Sequence, residues 1–235
     1  MVVLALIALE LVCLYVLGRR LLDGLVGDAV RAGRPRRWAT WTLLAPGVTL
    51  HEASHAAVAT FLGGRVVRFV PFRPAPMRGG GVLLGEVRWH PSPIPVLGGP
   101  VGRALVGLAP LVLVPGVVYA AGCALVPGVA LGDLPHELPA ALVERPVDVG
   151  ALLWLFVALS ASIGLLPSRI DHQDLPRALA LLALAAVAWL VWRGGIDAAD
   201  GRRLITDAAV PATFLAELLA PPAAVAAVGG LLLRR

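Results

Sequence analysis

From Val2 to Leu233 the chain alternates long apolar runs with short polar or Pro/Gly-rich breaks. That pattern restricts it to folds whose helices bury themselves in lipid or in one another. Composition agrees: 58% of residues are hydrophobic and 15% charged, and the mean hydropathy of +0.84 lies far from that of a soluble domain. At ~20 residues per span, a chain of this length holds roughly five or six helices and their connections. The expected fold is therefore an all-α polytopic membrane protein of about six transmembrane helices, with a short β-hairpin after the second and no separate soluble domain. The +5 net charge comes from arginines that flank apolar runs, which suits lipid head groups and topology rather than nucleic acid. Cys13 and Cys123 each sit within an apolar run and offer neither a disulfide framework nor a cysteine zinc site.

The first span is expected over Val2 to Leu17, retained rather than cleaved because it lacks a basic start and a small-residue cleavage site. Leu21 to Arg37 reads as an interfacial segment, and Trp38 and Trp41 mark re-entry into the bilayer. A second span runs from about Ala39 to Leu62 and stops at Gly63-Gly64, since glycine accepts the left-handed conformation at a helix end. Arg65 to Phe72 and Val82 to Trp89 flank a Pro/Gly-rich connection and read as a hairpin. Further spans follow at Val101 to Leu125, Val149 to Leu166 and Leu175 to Trp192, the fifth with Asp174 as its cap. Pro127 to Asp148 is a loop, Pro167-Ser168 interrupts the fourth span, and Ala209 to Leu233 makes a sixth span broken at Pro221 and Pro222.

The second span contains His51-Glu52-Ala53-Ser54-His55, an H-E-x-x-H motif. Two imidazoles and a carboxylate are costly at membrane depth unless something compensates them. On a helix, positions i and i+4 share a face, so His51 and His55 can both present a nitrogen to one zinc ion. Glu52 lies beside them, where it can take a proton from zinc-bound water and deliver it to a leaving amine. Paired histidines on soluble helices are often plain surface residues. That reading weakens here, because the chain has five histidines and two of them fall at ligand spacing beside a carboxylate. His90 and His136 have no partner at that spacing and read as surface residues.

A catalytic zinc site normally has three protein ligands. The second and fourth spans run in the same direction, and the motif lies ~14 Å before Leu62 at 1.5 Å per residue. A third ligand is therefore expected near the end of the fourth span. Asp171 meets that demand; His172 and Asp174 are its nearest rivals, and Glu217 a distant one.

This arrangement resembles the site-2 protease family of intramembrane zinc metalloproteases, in which H-E-x-x-H lies on one transmembrane helix and an aspartate ligand two spans later. The resemblance covers roughly residues 38–177 and rests on His51, Glu52 and His55, with a weaker element from Ile163 to Asp171. Gly164 stands where the family has an asparagine, Ile170-Asp171-His172 stands for L-D-G, and the proline-to-aspartate spacing is one residue short. Gly99-Pro100-Val101-Gly102-Arg103 looks like the family's G-P-x-x-N with Arg103 in the asparagine's place. The resemblance implies a first helix and interfacial segment over 1–37, a metalloprotease core over 38–177 and C-terminal transmembrane helices over 178–235, with no PDZ-like insertion. It also implies Zn2+ held by His51, His55 and Asp171, Glu52 as general base, and a membrane-protein substrate cut in or near its transmembrane segment.

A transmembrane helix hides its carbonyls in hydrogen bonds, so such a substrate must be held extended, and the hairpin edge could do this by strand addition. Val66, Phe69, Val82, Leu84 and Arg103 are the candidate substrate-binding residues; the competing reading is a hairpin that only packs on the bundle. Six arginines precede the second span and five lie between Arg65 and Arg88, on opposite faces, so charge gives conflicting orientations. The family resemblance places the active site toward the cytosol. Two other readings fit the sequence: a catalytically silent metal-binding scaffold of the same fold, and a CAAX-type prenyl-protein protease, which takes glutamate as its third ligand.

Overall fold

The computed structural model describes residues 2–77, 81–126, 148–165, 171, 173–193 and 198–232. The chain begins with α1 (Val2–Cys13), a π-helical turn (Leu14–Gly18) and α2 (Arg19–Arg31), which follow one another without a break. The expected interfacial segment is thus mostly helix. Apolarity ends at Arg19-Arg20 but helicity does not, because α2 is amphipathic. It buries Leu21 and Ala29 and leaves Arg19 and Asp23 paired at 3.6 Å on its exposed side.

Extended backbone at Ala32 and Gly33 separates α2 from α3 (Arg34–Phe61), where Pro35 occupies the first turn. α3 ends as expected. Gly63 adopts φ +78°, its N–H donates to the Thr60 carbonyl, and the Gly64 N–H donates to that of Ala59 at 2.8 Å, a Schellman closure.

A twice-interrupted antiparallel ribbon follows. β1 (Arg65–Val70) pairs with β4 (Glu86–His90) from Arg65 opposite His90 to Val70 opposite Glu86, with a bulge between Val66 and Arg68. β2 (Ala75–Pro76) pairs with β3 (Val82–Leu83). The expected strands are shortened because Pro71 and Pro74 lack the N–H that would continue the ladder.

α4 (Pro95–Gly98) is a single turn that leads into α5 (Pro100–Leu125). α6 (Val149–Gly164) begins at Asp148, whose Oδ1 accepts the Ala151 N–H at 2.6 Å. α7 (Leu175–Arg193) and α8 (Ala198–Leu232) complete the chain. Two expectations change here. Asp174 caps α7 only through its backbone carbonyl, which accepts the Ala178 N–H, because its side chain is engaged elsewhere. α8 runs unbroken through Pro221 and Pro222, the latter fully buried against its neighbours. The Pro127 to Asp148 loop (save Asp148), the Pro167-Ser168 interruption, His136 and His172 lie outside the described residues.

The structure is mostly helical with a small sheet. Among the described residues one helix, α5, has the length and apolarity to cross a membrane, while Val149–Gly164, Leu175–Ala188 and Ala216–Leu232 are shorter apolar helices. Six transmembrane helices are therefore not shown. α3 has the length, at 28 residues, but carries the polar motif that the expected second span had to contain.

α3, α5 and α6 pack against one another to form the centre of the fold. Glycine sets how closely they approach. A Cβ at Gly47 would lie 1.8 Å from the Ser160 carbonyl oxygen, and one at Gly164 would lie 2.3 Å from the Gly47 carbonyl carbon. α3 and α6 thus touch backbone to backbone, and the buried Gly47 N–H donates to Ser160 Oγ at 2.8 Å.

Candidate metal centre

The close approach at Gly47 and Gly164 carries His51, one turn further along α3, to the C-terminal end of α6. There its Nδ1 lies 2.9 Å from the Gly164 carbonyl oxygen. On the same face, His55 points its Nδ1 at the Val106 carbonyl oxygen of α5, 2.7 Å away. A carbonyl only accepts, so each Nδ1 carries a proton, and each ring turns its Nε2 away from its carbonyl. Both rings are buried.

The two Nε2 atoms lie 3.1 Å apart. Asp171 joins them with one oxygen to each ring, Oδ2 at 3.4 Å from His51 Nε2 and Oδ1 at 3.3 Å from His55 Nε2. Such a convergence in a buried space is stable only with positive charge within it, either protons on the two Nε2 atoms or a metal ion shared by all three groups. Burial alone would push the Asp171 carboxyl up; protons on the two Nε2 atoms outweigh it through hydrogen bonds and charge, and hold the group well below the usual carboxylate range.

The geometry fits a metal. Zinc bonds of 2.0–2.1 Å in a tetrahedron give ligand-to-ligand edges of roughly 3.3 Å, close to the three separations above. The tie from each Nδ1–H to a carbonyl is the usual outer support that fixes the tautomer and ring orientation of a metal-bound histidine. His51, His55 and Asp171 thus form a group that could hold a metal ion.

Glu52 is half-buried beside the pair, and the ribbon closes over it. A Cβ at Gly85 would lie 2.7 Å from Glu52 Cγ and 3.1 Å from Val48 Cγ1, so only glycine allows this approach. Arg73 N–H to Leu84 carbonyl, at 2.6 Å, holds the ribbon at that level.

The other expected site residues lie on the ribbon and on α5. Val66 is half-buried opposite Trp89, Phe69 is exposed opposite Val87, Val82 is half-buried opposite Pro76, and Leu84 is half-buried next to Gly85. Arg103 is apart from them on α5, bonded to Asp174 Oδ2 at 2.9 Å and Oδ1 at 3.3 Å. Both lie on a cleft of about 480 Å3 with Gln173, Pro176 and Arg177. Asp174, a rival for the third ligand, thus commits its carboxylate to Arg103. Glu217 is half-buried on α8 and is not part of the metal-binding group. His90 is exposed at the end of β4.

The sequence reading did not include the carbonyls of Val106 and Gly164, because a backbone acceptor leaves no mark in residue identity. Nor did it assign roles to Gly47, Gly85 and Gly107, whose only signal is that a glycine stands within or beside an otherwise apolar element. Comparison of the chain with protein-family models, with curated proteins and with solved structures finds no match to any of them.

Proposed function

We propose that the protein is a multi-pass intramembrane zinc metalloprotease that hydrolyses a peptide bond in or near a transmembrane segment of another membrane protein. One observation carries this reading: two imidazoles and a carboxylate converge, the outer nitrogens of the rings face backbone carbonyls, and a second carboxylate, Glu52, stands beside them. The resemblance of the motif to the site-2 protease family supports it, and suggests an active site toward the cytosol.

The surface supports the membrane part. Val112 and Leu113 of α5, Leu152, Leu153 and Trp154 of α6 and Leu179 to Val187 of α7 point large apolar side chains outward, while the histidines, Ser160 and Ser162 are buried inside. A water-facing protein has little reason for that inversion, and lipid accounts for it.

His51, His55 and Asp171 would hold the zinc, which would supply Lewis acidity to a scissile carbonyl and ease deprotonation of the attacking water near neutral pH. Glu52 accepts the proton that water releases and returns it to the departing amine. Burial of the site between α3, α5 and α6 excludes bulk water, which strengthens these charge effects. The ribbon edge at β1 or β4 would hold the substrate extended by backbone pairing.

The test is the full chain purified in detergent, assayed for metal content and for cleavage of a panel of single-span substrates, wild type against Glu52→Gln. The proposal expects stoichiometric zinc in both and cleavage in the wild type alone. Stoichiometric zinc with no Glu52-dependent cleavage across a wide panel would favour a silent metal-binding scaffold. Zinc that survives Asp171→Ala but not Glu217→Ala would favour the CAAX-type site.

A further inference from the structure

Asp171 is the one member of the metal-binding group that no helix or strand carries. It stands in a turn, and so do Gln173 and Asp174. A ligand on a turn keeps its geometry only if something else holds the turn, because metal bonds tolerate errors of a few tenths of an ångström. The holding points are on α5, within one helical turn. A Cβ at Gly107 would lie 1.7 Å from the Asp171 carbonyl oxygen, so the turn rests directly on the helix backbone there. Four residues earlier, on the same face, Arg103 grips Asp174 with two nitrogens and donates a third hydrogen bond to the Gly98 carbonyl at 3.2 Å. Between these positions, Val106 supplies the carbonyl that orients His55. Residues 103–107 of α5 therefore touch both the His55 ligand and the turn that bears Asp171.

We infer that Arg103 and Asp174 are positioning residues, a latch that clamps the turn onto α5 and so sets Asp171 against His51 and His55. The inference rests on the metal-centre reading above. It goes beyond that reading by giving Arg103 a structural duty toward the metal in place of contact with substrate. It also explains why two aspartates three residues apart divide their work. The Asp174 side chain is 10% exposed, and such a carboxylate needs a partner that stays charged. Arginine does so at every relevant pH and offers a planar fork that fits both oxygens. Arg177, 3.7 Å from Asp174 Oδ1 and well exposed, adds little beyond this.

The test uses the full chain in detergent, with zinc affinity measured by competition against a chromophoric chelator. Wild type is compared with Arg103→Met, Arg103→Lys, Asp174→Asn and the Arg103→Met/Asp174→Asn double variant. The latch predicts that Arg103→Met and Asp174→Asn each weaken zinc binding by roughly ten- to a hundredfold, the usual effect of removing an outer-shell support. The double variant should be no weaker than the weaker single, since both break one contact, and Arg103→Lys should fall between wild type and Arg103→Met. With cobalt in place of zinc, the absorption spectrum of Asp174→Asn should move toward that of Asp171→Asn, as the carboxylate leaves the metal. A pair that serves stability alone would lower the unfolding temperature of the metal-free chain and leave affinity and spectrum at wild-type values; that result overturns the latch. A wild type that binds no zinc overturns the metal centre itself, a different and separately visible failure.

Discussion

α3 and α7 draw on much the same apolar residues and turn them in opposite directions. α3 faces His51, Ser54 and His55 inward, where α5 and α6 close on them through Gly47, Gly164 and the Val106 carbonyl. α7 faces Leu179, Leu181, Leu182, Leu184 and Val187 outward, and among its described side chains only Ala178 is buried. In water the first arrangement would waste the hydrophobic effect and the second would invite aggregation. In lipid both are sound. Lipid cannot solvate polar groups, so there they would go to the middle, and small residues would let backbones approach closely enough to satisfy them.

The comparison can be broken at several points. The largest effect is expected at Glu52, the proposed general base: Glu52→Gln should lower the cleavage rate by roughly 10²–10⁴ while leaving zinc content and unfolding temperature unchanged. A wild-type rate would place the chemistry elsewhere. Next comes α7. Leu184→Lys puts a charge at the middle of the helix, at a side chain that is 66% exposed, and lipid should charge about 2.5–3.5 kcal/mol for it in a membrane-insertion assay of that segment. An absence of penalty would show that α7 does not face lipid, and the inversion drawn above would fail.

Overpacking the α3–α6 contact should cost somewhat less. Gly164→Ala drives a methyl into the Gly47 backbone and is expected to destabilise by about 1–3 kcal/mol, read from thermal unfolding in detergent. It should weaken zinc binding as well, since the Gly164 carbonyl holds His51. The smallest effect should come from α2, where Arg19 and Asp23 pair at 3.6 Å with both side chains about half exposed or more. Arg19→Ala should change stability by less than about 0.5 kcal/mol, and a larger loss would mean that this end of the chain is packed more tightly than its exposure suggests.

Much of the helical framework was legible because apolar runs end where helices end: α5, α6 and α7 lie within a residue or two of the runs that announced them. The ribbon and the Gly63-Gly64 stop were legible for the same local reason. The join from α1 to α2 was not, because an amphipathic helix continues past the point where apolarity stops, and α8 was not, because neighbouring helices carry it through prolines that would end an isolated one. At the site, His51, Glu52 and His55 announced themselves by spacing, and Asp171 followed from the expected direction of two apolar runs. What holds them did not. Gly47 and Ser160 are 113 residues apart, and Arg103 and Asp174 are 71 apart; contacts of that range leave no periodic trace. Arg103 illustrates the limit: no spacing rule pointed to its partner, Asp174.

The central claim is that His51, His55 and Asp171 hold one metal ion. Its most direct test is elemental analysis of the purified full chain beside His51→Ala, His55→Ala and Asp171→Asn, each refolded or expressed with zinc in excess and then passed through a weak chelator. The account predicts a single zinc ion per wild-type chain and a loss of most of it in all three variants. A wild type without metal, or variants that keep zinc at the wild-type level, would contradict it.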